Sequence, residues 1–149
     1  MGYENITLLL LRAIPEAIGI IGAGTVLVGK RIPPLHVVLA GLLGGIAVWI
    51  FRLLPLNFGI HSILSIMVFI VIQRLILKLN LKMAITGTLL GFALLGLMEY
   101  ISILIISAVF DMAYSNLIDD KLLYFFLGLP SLLGIVLFWL CGWRLLKNR

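Results

Sequence analysis

Residues 83–109 read MAITGTLLGFALLGLMEYISILIISAV, and Glu99 is the one charged residue in this stretch. A helix needs about 20 residues to cross the hydrocarbon core of a bilayer, and this run is long enough. It lacks the alternation of apolar and polar residues that a barrel strand shows, and a helix satisfies every backbone polar group in lipid. The stretch therefore predicts a transmembrane helix.

Four more apolar runs accompany it, at about 6–28, 35–51, 60–77 and 122–143. Charged residues make up only 11% of the 149 residues, whereas a soluble domain carries about 25%. The composition therefore excludes an ordinary soluble protein. We predict an all-α fold in which residues 1–149 form a single domain, a polytopic bundle of five transmembrane helices.

Charges on the joints between these runs segregate by sign, and this pattern predicts the topology. One side receives the basic residues Lys30, Arg31, Arg74, Lys78, Lys82, Arg144, Lys147 and Arg149. The opposite side receives Glu4, Asp111, Asp119 and Asp120, together with Lys121 and Arg52. Because cytoplasmic joints are rich in Lys and Arg, we expect the N-terminus outside and the C-terminus in the cytoplasm. The net charge of +5 then reflects topological anchors in a bilayer, and we expect no nucleic-acid partner.

The first run contains charges where lipid would be expected. Arg12 and Glu16 are four residues apart, on one face of a helix and close enough to pair. Pro15 lies between them and removes a backbone donor, so we predict a hinge there. Glu99 lies roughly 24 Å above the start of its own run at 1.5 Å per residue, in the outer half of the bilayer.

Arg52 and His61, at the ends of the second and third runs, fall at the same level. The sequence therefore predicts one charged layer, made of Arg12, Glu16, Arg52, His61 and Glu99. A charge at the centre of a membrane helix costs about 2.5–3.5 kcal/mol, so such residues pair, line a wet cavity or bind something. Two interpretations stay open, a ligand pocket and an internal lock with the pairs Arg12–Glu16 and Arg52–Glu99.

Several classes of site are not expected. His36 and His61 belong to opposite ends of the bundle, and Cys141 is the only cysteine, so we predict no metal site. The sequence shows no nucleophile–base constellation, zinc-protease motif or phosphate loop, which argues against an enzyme and against a bound cofactor.

Glycines are spaced for close helix packing. Gly41 with Gly45, and Gly87 with Gly91, match the small-xxx-small pattern, which we expect to pack helices within the bundle, with dimerisation as the alternative. We expect Gly59 and Gly128 to mark turns or flexible points.

The motifs RAIPE at 12–16 and RLLPLNFGIH at 52–61 resemble the five-helix N-terminal membrane sensor of Firmicute receptor histidine kinases of the sporulation or autoinducer type. The resemblance covers essentially the whole chain. It implies a bacterial cell membrane, an extracellular or membrane-borne signal, and transmission through the last helix to a kinase. The sequence departs from the family at Arg149, where it stops before any kinase domain, so we expect a stand-alone or a truncated copy, and the resemblance does not extend kinase activity to these residues.

The residues and the resemblance agree on a sensor-like or signalling-accessory module that recognises a peptide or small amphiphilic ligand through the charged layer. A cytoplasmic or membrane signalling partner is then expected, and a homo-oligomer stays open. The alternatives are a small proton- or cation-linked transporter or channel subunit, and a purely structural assembly partner.

Overall fold

The computed structural model describes residues 12–54, 58–110 and 121–146, and within its helices it leaves the side chains at 53, 58, 110 and 121–127 undescribed. These ranges contain five helices and no strand, so the all-α prediction is confirmed for them. The helices are α1 Ile14–Leu27, α2 Pro34–Leu53, α3 Phe58–Leu75, α4 Leu81–Phe110 and α5 Lys121–Leu145. Residues 6–11 of the first predicted run lie outside the described residues.

Local chemistry sets the turn between α1 and α2. Gly29 adopts a left-handed backbone (φ 71°), which glycine tolerates without a steric penalty. The N–H of Gly29 donates to the Val26 carbonyl and that of Lys30 to the Thr25 carbonyl, both at 2.9 Å, the two bonds of a Schellman C-cap. Pro34 then opens α2, where its missing N–H costs nothing.

The joint between α3 and α4 ends one helix and starts the next within five residues. Lys78 takes a left-handed backbone (φ 52°), and the Leu79 N–H returns to the Gln73 carbonyl at 3.3 Å. α3 therefore ends at Leu75, slightly before the predicted end at 77. Asn80 caps α4, because its Oδ1 accepts from the Met83 N–H at 2.8 Å.

α1 is the central helix of the bundle. It contacts α2, α4 and α5, while α3 packs against α2 and α4. Every residue of α1 from Gly19 to Thr25 is buried, as expected for a helix surrounded by protein rather than exposed along one face. The remaining helices carry many exposed leucine and isoleucine side chains on their outer faces.

Glycines bring the neighbouring helices onto α1. A Cβ added at Gly41 would clash with Ile18, and a Cβ added at Gly91 would clash with the Ile20 carbonyl. Gly24 and Gly87 bring the backbones of α1 and α4 into direct contact. Gly45 likewise lies on the α1 backbone. The prediction that these spacings serve packing within the bundle is confirmed, because α1 occupies the glycine faces of α2 and α4.

α5 packs along the length of α1 and is fastened at one end. Gly19 accommodates Ile135, and Gly22 lies under the Trp139 ring. At the end that carries the basic joints, Trp143 Nε1–H donates to the Ile32 carbonyl at 2.8 Å. The Arg31 guanidinium lies over the same ring, 4.7 Å from its centroid, a cation–π distance.

α3 and α4 share two interior contacts. The Phe69 and Phe92 rings stack with centroids 5.5 Å apart. Nearer the basic end, Gln73 Nε2–H donates to Thr88 Oγ1 at 3.0 Å, and both residues are fully buried.

Three helices are long and apolar enough to cross a membrane, namely α2, α4 and α5. Within the described residues α1 and α3 are apolar but shorter. The sequence prediction of membrane helices is therefore confirmed for three segments, and a bundle of five spans stays a prediction. Gly59 and Gly128 lie within helices and not at turns, and the alternative that they are flexible points stays a prediction.

We predict that Gly91→Ala destabilises the bundle by about 1–3 kcal/mol, since the new methyl overpacks against the Ile20 carbonyl. Gly96→Ala is the matched control in the same helix, because nothing lies within 4 Å of its Cβ position. The control should be neutral or stabilising by up to about 1 kcal/mol through helix propensity. Unfolding of the detergent-solubilised variants measures both, and equal effects would contradict the close α1–α4 contact.

Candidate functional site

A cavity of about 250 Å³ lies between α1, α2, α3 and α4. Its lining residues are Arg12, Ala13, Glu16, Ala17, Ile20, Val48, Arg52, His61, Ser62, Ser65, Phe69, Phe92 and Glu99. All five residues of the predicted charged layer belong to this lining. The structure therefore brings them together, and their role stays a prediction.

Helical periodicity explains how these side chains converge. Arg12, in the turn before α1, is followed at intervals of four by Glu16 and Ile20 of α1. His61, Ser65 and Phe69 have the same spacing on α3. Residues four apart lie on one face of a helix. α1 and α3 form opposite walls of the cavity, and α2 and α4 close its sides.

The cavity is polar at one end and apolar at the other. Its charged residues lie toward the end of the bundle opposite the basic joints. The floor is made by Ile20 and by the stacked rings of Phe69 and Phe92. Ile20 and Phe69 are each only 1% exposed, so the floor is closed. The arrangement suits a molecule with a polar head and an apolar part.

The charged side chains form an alternating chain across three helices. Arg52 Nη2 lies 3.6 Å from Glu16 Oε2, and Arg12 Nε lies 3.9 Å from the same oxygen. Arg12 Nη2 donates to Glu99 Oε1 at 3.4 Å. All three distances exceed the 2.7–2.9 Å of a strong charge-assisted hydrogen bond. The chain is thus electrically alternating but loosely packed.

One predicted pair is wrong. Arg12–Glu16 is present, but Glu99 pairs with Arg12 instead of Arg52. The reason is the arrangement of helices, because α2 and α4 both pack against α1. Side chains of α1 therefore stand between Arg52 and Glu99 and take both as partners.

Two buried polar atoms of the cavity make no hydrogen bond to any described residue, namely Glu16 Oε2 and His61 Nδ1. Glu16 Oε2 has only the two guanidinium groups at 3.6 and 3.9 Å. The Ser65 hydroxyl donates to the carbonyl of His61 at 2.8 Å, within its own helix. Buried polar atoms without a partner are uncommon in folded proteins and point to a ligand, water or a functional role.

Pro15 lies in the first turn of α1, and residues 12–13 before it form a wider, π-type turn. Such turns occur often at functional sites. The residues before Arg12 lie outside the described part of the chain, so the hinge at Pro15 stays a prediction.

The sequence did not single out Ser62, Ser65, Phe69 or Phe92 as lining residues. The spacing from His61 could have identified Ser65 and Phe69, since all three share one face of α3. The contact of Gly128 with Arg12 was also not predicted: a Cβ added at Gly128 would lie 3.6 Å from the Arg12 Cζ. No sequence signal predicts that contact.

The two histidines and the cysteine, which could serve as metal ligands, lie in different parts of the structure. His36 opens α2 at the basic end, whereas His61 lines the cavity at the other end. Cys141 is exposed. Across residues 12–54, 58–110 and 121–146, no three His, Cys, Asp or Glu side chains are grouped so as to hold a metal ion.

No protein-family model, curated protein or solved structure matches this chain. Its function is therefore argued from the geometry of the cavity.

We predict that Arg12→Gln destabilises the protein more than Arg52→Gln does. Arg12 is 13% exposed and touches two carboxylates, whereas Arg52 is 44% exposed and touches one. Removing one partner of a buried pair costs about 3–5 kcal/mol, and exposed pairs contribute at most about 1 kcal/mol.

The double variant Arg12→Gln/Glu16→Gln should recover part of the loss, since it no longer leaves Glu16 facing only one guanidinium. Thermal unfolding of the wild type, Arg12→Gln, Glu16→Gln and the double variant gives the coupling energy. Strictly additive losses would show that Arg12 and Glu16 do not interact.

Proposed function

We propose that this protein is a receptor-like membrane module that binds a small amphiphilic ligand or a peptide in the cavity between α1, α2, α3 and α4. The observation that carries this proposal is the combination of a charged upper wall with a closed apolar floor in one cavity. Ligand sites in proteins share this design, with mostly apolar walls and a few placed polar groups.

The long ion-pair distances and the polar atoms without hydrogen bonds support ligand binding over a purely structural role of the charged residues. A lock is effective when its ion pairs are short and every polar atom has a partner, because a half-satisfied network costs stability. Here the pairs are 3.4–3.9 Å long, and Glu16 Oε2 and His61 Nδ1 accept no hydrogen bond from the described residues. A ligand head that supplies hydrogen bonds would stabilise this arrangement.

The closed floor also favours binding over conduction. A proton- or cation-linked transporter needs a polar route beyond the carboxylates toward the other face. Directly below the charged wall stand the buried side chains of Ile20 and Phe69. These apolar groups favour a ligand that enters and leaves by the same end.

Transmission would run through α1. Arg12 and Glu16 line the cavity at one end of α1 and contact Glu99 and Arg52, and Gly19 and Gly22 hold α5 against the same helix. Trp143 fastens the end of α5 to the α1–α2 joint through the Ile32 carbonyl. A ligand that prefers one packing of α1 would shift the population of that packing, and a cytoplasmic or membrane partner would detect the change at the basic end.

The topology belongs to the same proposal. Five spans in a bacterial cell membrane, with the N-terminus outside, would place the cavity in the outer half of the bilayer. Three sufficiently long apolar helices support a membrane location. The fastening of Arg31 and Trp143 supports placing the first joint and the last helix end on one side.

Orientation is testable by thiol labelling in a Cys141→Ala background. We predict that a cysteine at position 78 reacts with a membrane-impermeant maleimide only after cells are permeabilised, whereas one at position 119 reacts in intact cells. Basic joints stay in the cytoplasm. The reverse pattern would contradict the proposed orientation and place the cavity in the inner half of the bilayer.

We predict that Ser65→Leu abolishes ligand binding by filling the cavity. Ser65 lines the cavity and its hydroxyl bonds only within α3, so the change removes no contact between helices. Ser65→Ala is the matched control, because it loses the same hydroxyl but leaves the space open.

Dodecyl amphiphiles with carboxylate, sulfobetaine, phosphocholine, amine and amino-acid heads serve as probes. A ligand that binds the folded state raises the melting temperature by mass action. At least one probe should stabilise the wild type and Ser65→Ala but not Ser65→Leu. An equal response in Ser65→Leu, or none in any protein, would overturn the proposed binding function.

A further inference from the structure

Exposure divides the charged chain into a buried middle and two open ends. Arg12 and Glu16 are 13% and 18% exposed, whereas Arg52 and Glu99 are 44% and 34% exposed. The open ends have opposite charge, and both line the cavity. A ligand would therefore meet a guanidinium on α2 and a carboxylate on α4.

Both open ends have hydrogen-bonding capacity to spare. A guanidinium carries five N–H donors, and Arg52 reaches Glu16 through one long contact of 3.6 Å, so most of its donors are available to a ligand. A carboxylate accepts several hydrogen bonds, and Glu99 accepts one, from Arg12. The cavity thus offers donors on one side and acceptor oxygens on the other.

Charge balance restricts what can occupy this space. Two arginines and two glutamates cancel in formal charge, so a simple anion or cation would leave a net charge inside the bundle. A net charge in a partly buried cavity is disfavoured, because water solvates it less well there than in bulk and the like charges of the lining repel it. A zwitterion adds an anionic and a cationic group together and leaves the site neutral.

Resting on the proposed function, we infer that the ligand is a zwitterionic amphiphile with a primary ammonium group. Its phosphate or carboxylate binds Arg52, and its ammonium donates hydrogen bonds to Glu99. A quaternary ammonium lacks these N–H donors and leaves the spare Glu99 oxygen without a hydrogen bond. The apolar part lies against Val48 and Phe92, which line the same cavity.

The size of the cavity fits this chemistry. Pockets for drug-sized molecules measure about 300–1,000 Å³, and this one is slightly smaller at about 250 Å³. It therefore accommodates a phosphoethanolamine or amino-acid head and the first part of a tail. Such a head occurs both on a membrane lipid and on a free amphiphile.

The test compares dihexanoyl phospholipids whose heads are phosphoethanolamine, phosphocholine or phosphoglycerol. Binding to the purified protein in a non-ionic detergent is measured by titration calorimetry. We expect the phosphoethanolamine form to bind at least about tenfold more tightly than the other two, since a hydrogen bond to a charged group contributes about 1.5–3 kcal/mol. This comparison uses the wild type alone and does not depend on whether variants fold.

Variants then locate the site. Arg52→Gln and Glu99→Gln should each weaken binding of the phosphoethanolamine lipid about tenfold. Arg74→Gln is the control for Arg52→Gln, because both arginines lie in the last turn of their helices but at opposite ends of the bundle. Glycerophosphoethanolamine keeps the zwitterionic phosphodiester head but lacks acyl chains. Much weaker binding of this compound is expected for an amphiphile, and equal affinity would overturn the role of the apolar part.

The outcomes separate this inference from the proposed function. Equal binding of the three lipids, or tightest binding of phosphoglycerol, would overturn the zwitterion inference. If that binding is still lost in Ser65→Leu and kept in Ser65→Ala, the cavity remains a ligand site. Loss of binding in Arg74→Gln as large as in Arg52→Gln would also overturn the inference, since it would place the lipid away from the cavity.

Discussion

The charges of α1 have to be satisfied inside the bundle, because α1 is surrounded by other helices. Glycines on α2 and α4, together with glycines of α1 itself, let these helices approach its backbone, and α5 packs along the same helix. This close packing leaves Arg12 and Glu16 only 13% and 18% exposed. Their partners come from α2 and α4: Glu16 pairs with Arg52, and Arg12 pairs with Glu99. These pairs hold Arg52 and Glu99 around the same cavity.

The sequence predicted the levels of the charged residues but not their directions around the helix axes. Counting 1.5 Å per residue placed Glu99 at the same depth as Arg12, Arg52 and His61, and all four line one cavity. The same count cannot tell which neighbour each side chain faces, so the internal-lock interpretation pairs Glu99 with Arg52, whereas its partner is Arg12. The sequence also did not predict the central position of α1. All five runs are similarly apolar, so helix faces that contact lipid and faces that contact protein have similar residues.

Glycines predicted the close packing of the helices correctly but predicted the turns incorrectly. The pairs Gly41–Gly45 and Gly87–Gly91 predicted close packing, and they contact α1. Gly128 is not at a turn but lies in α5, where it leaves room for the Arg12 guanidinium. Two glycines four residues apart identify a helix face that packs closely. A single glycine that makes room for a long side chain leaves no such pattern in the sequence.

The same packing that buries the charges determines how a change at the cavity would reach the opposite end. α1 and α4 touch through backbone atoms at Gly24 and Gly87, so α1 cannot deform there without moving α4. Two helices whose backbones touch can pack against each other in only a few ways. Close-packed interiors therefore switch between discrete packings instead of bending gradually. A displacement of Arg12 or Glu16 would therefore be carried by α1 as a rigid body. Its effect would appear where α5 is fastened, at Trp143 and the Ile32 carbonyl, because that hydrogen bond joins the end of α5 to the joint that follows α1.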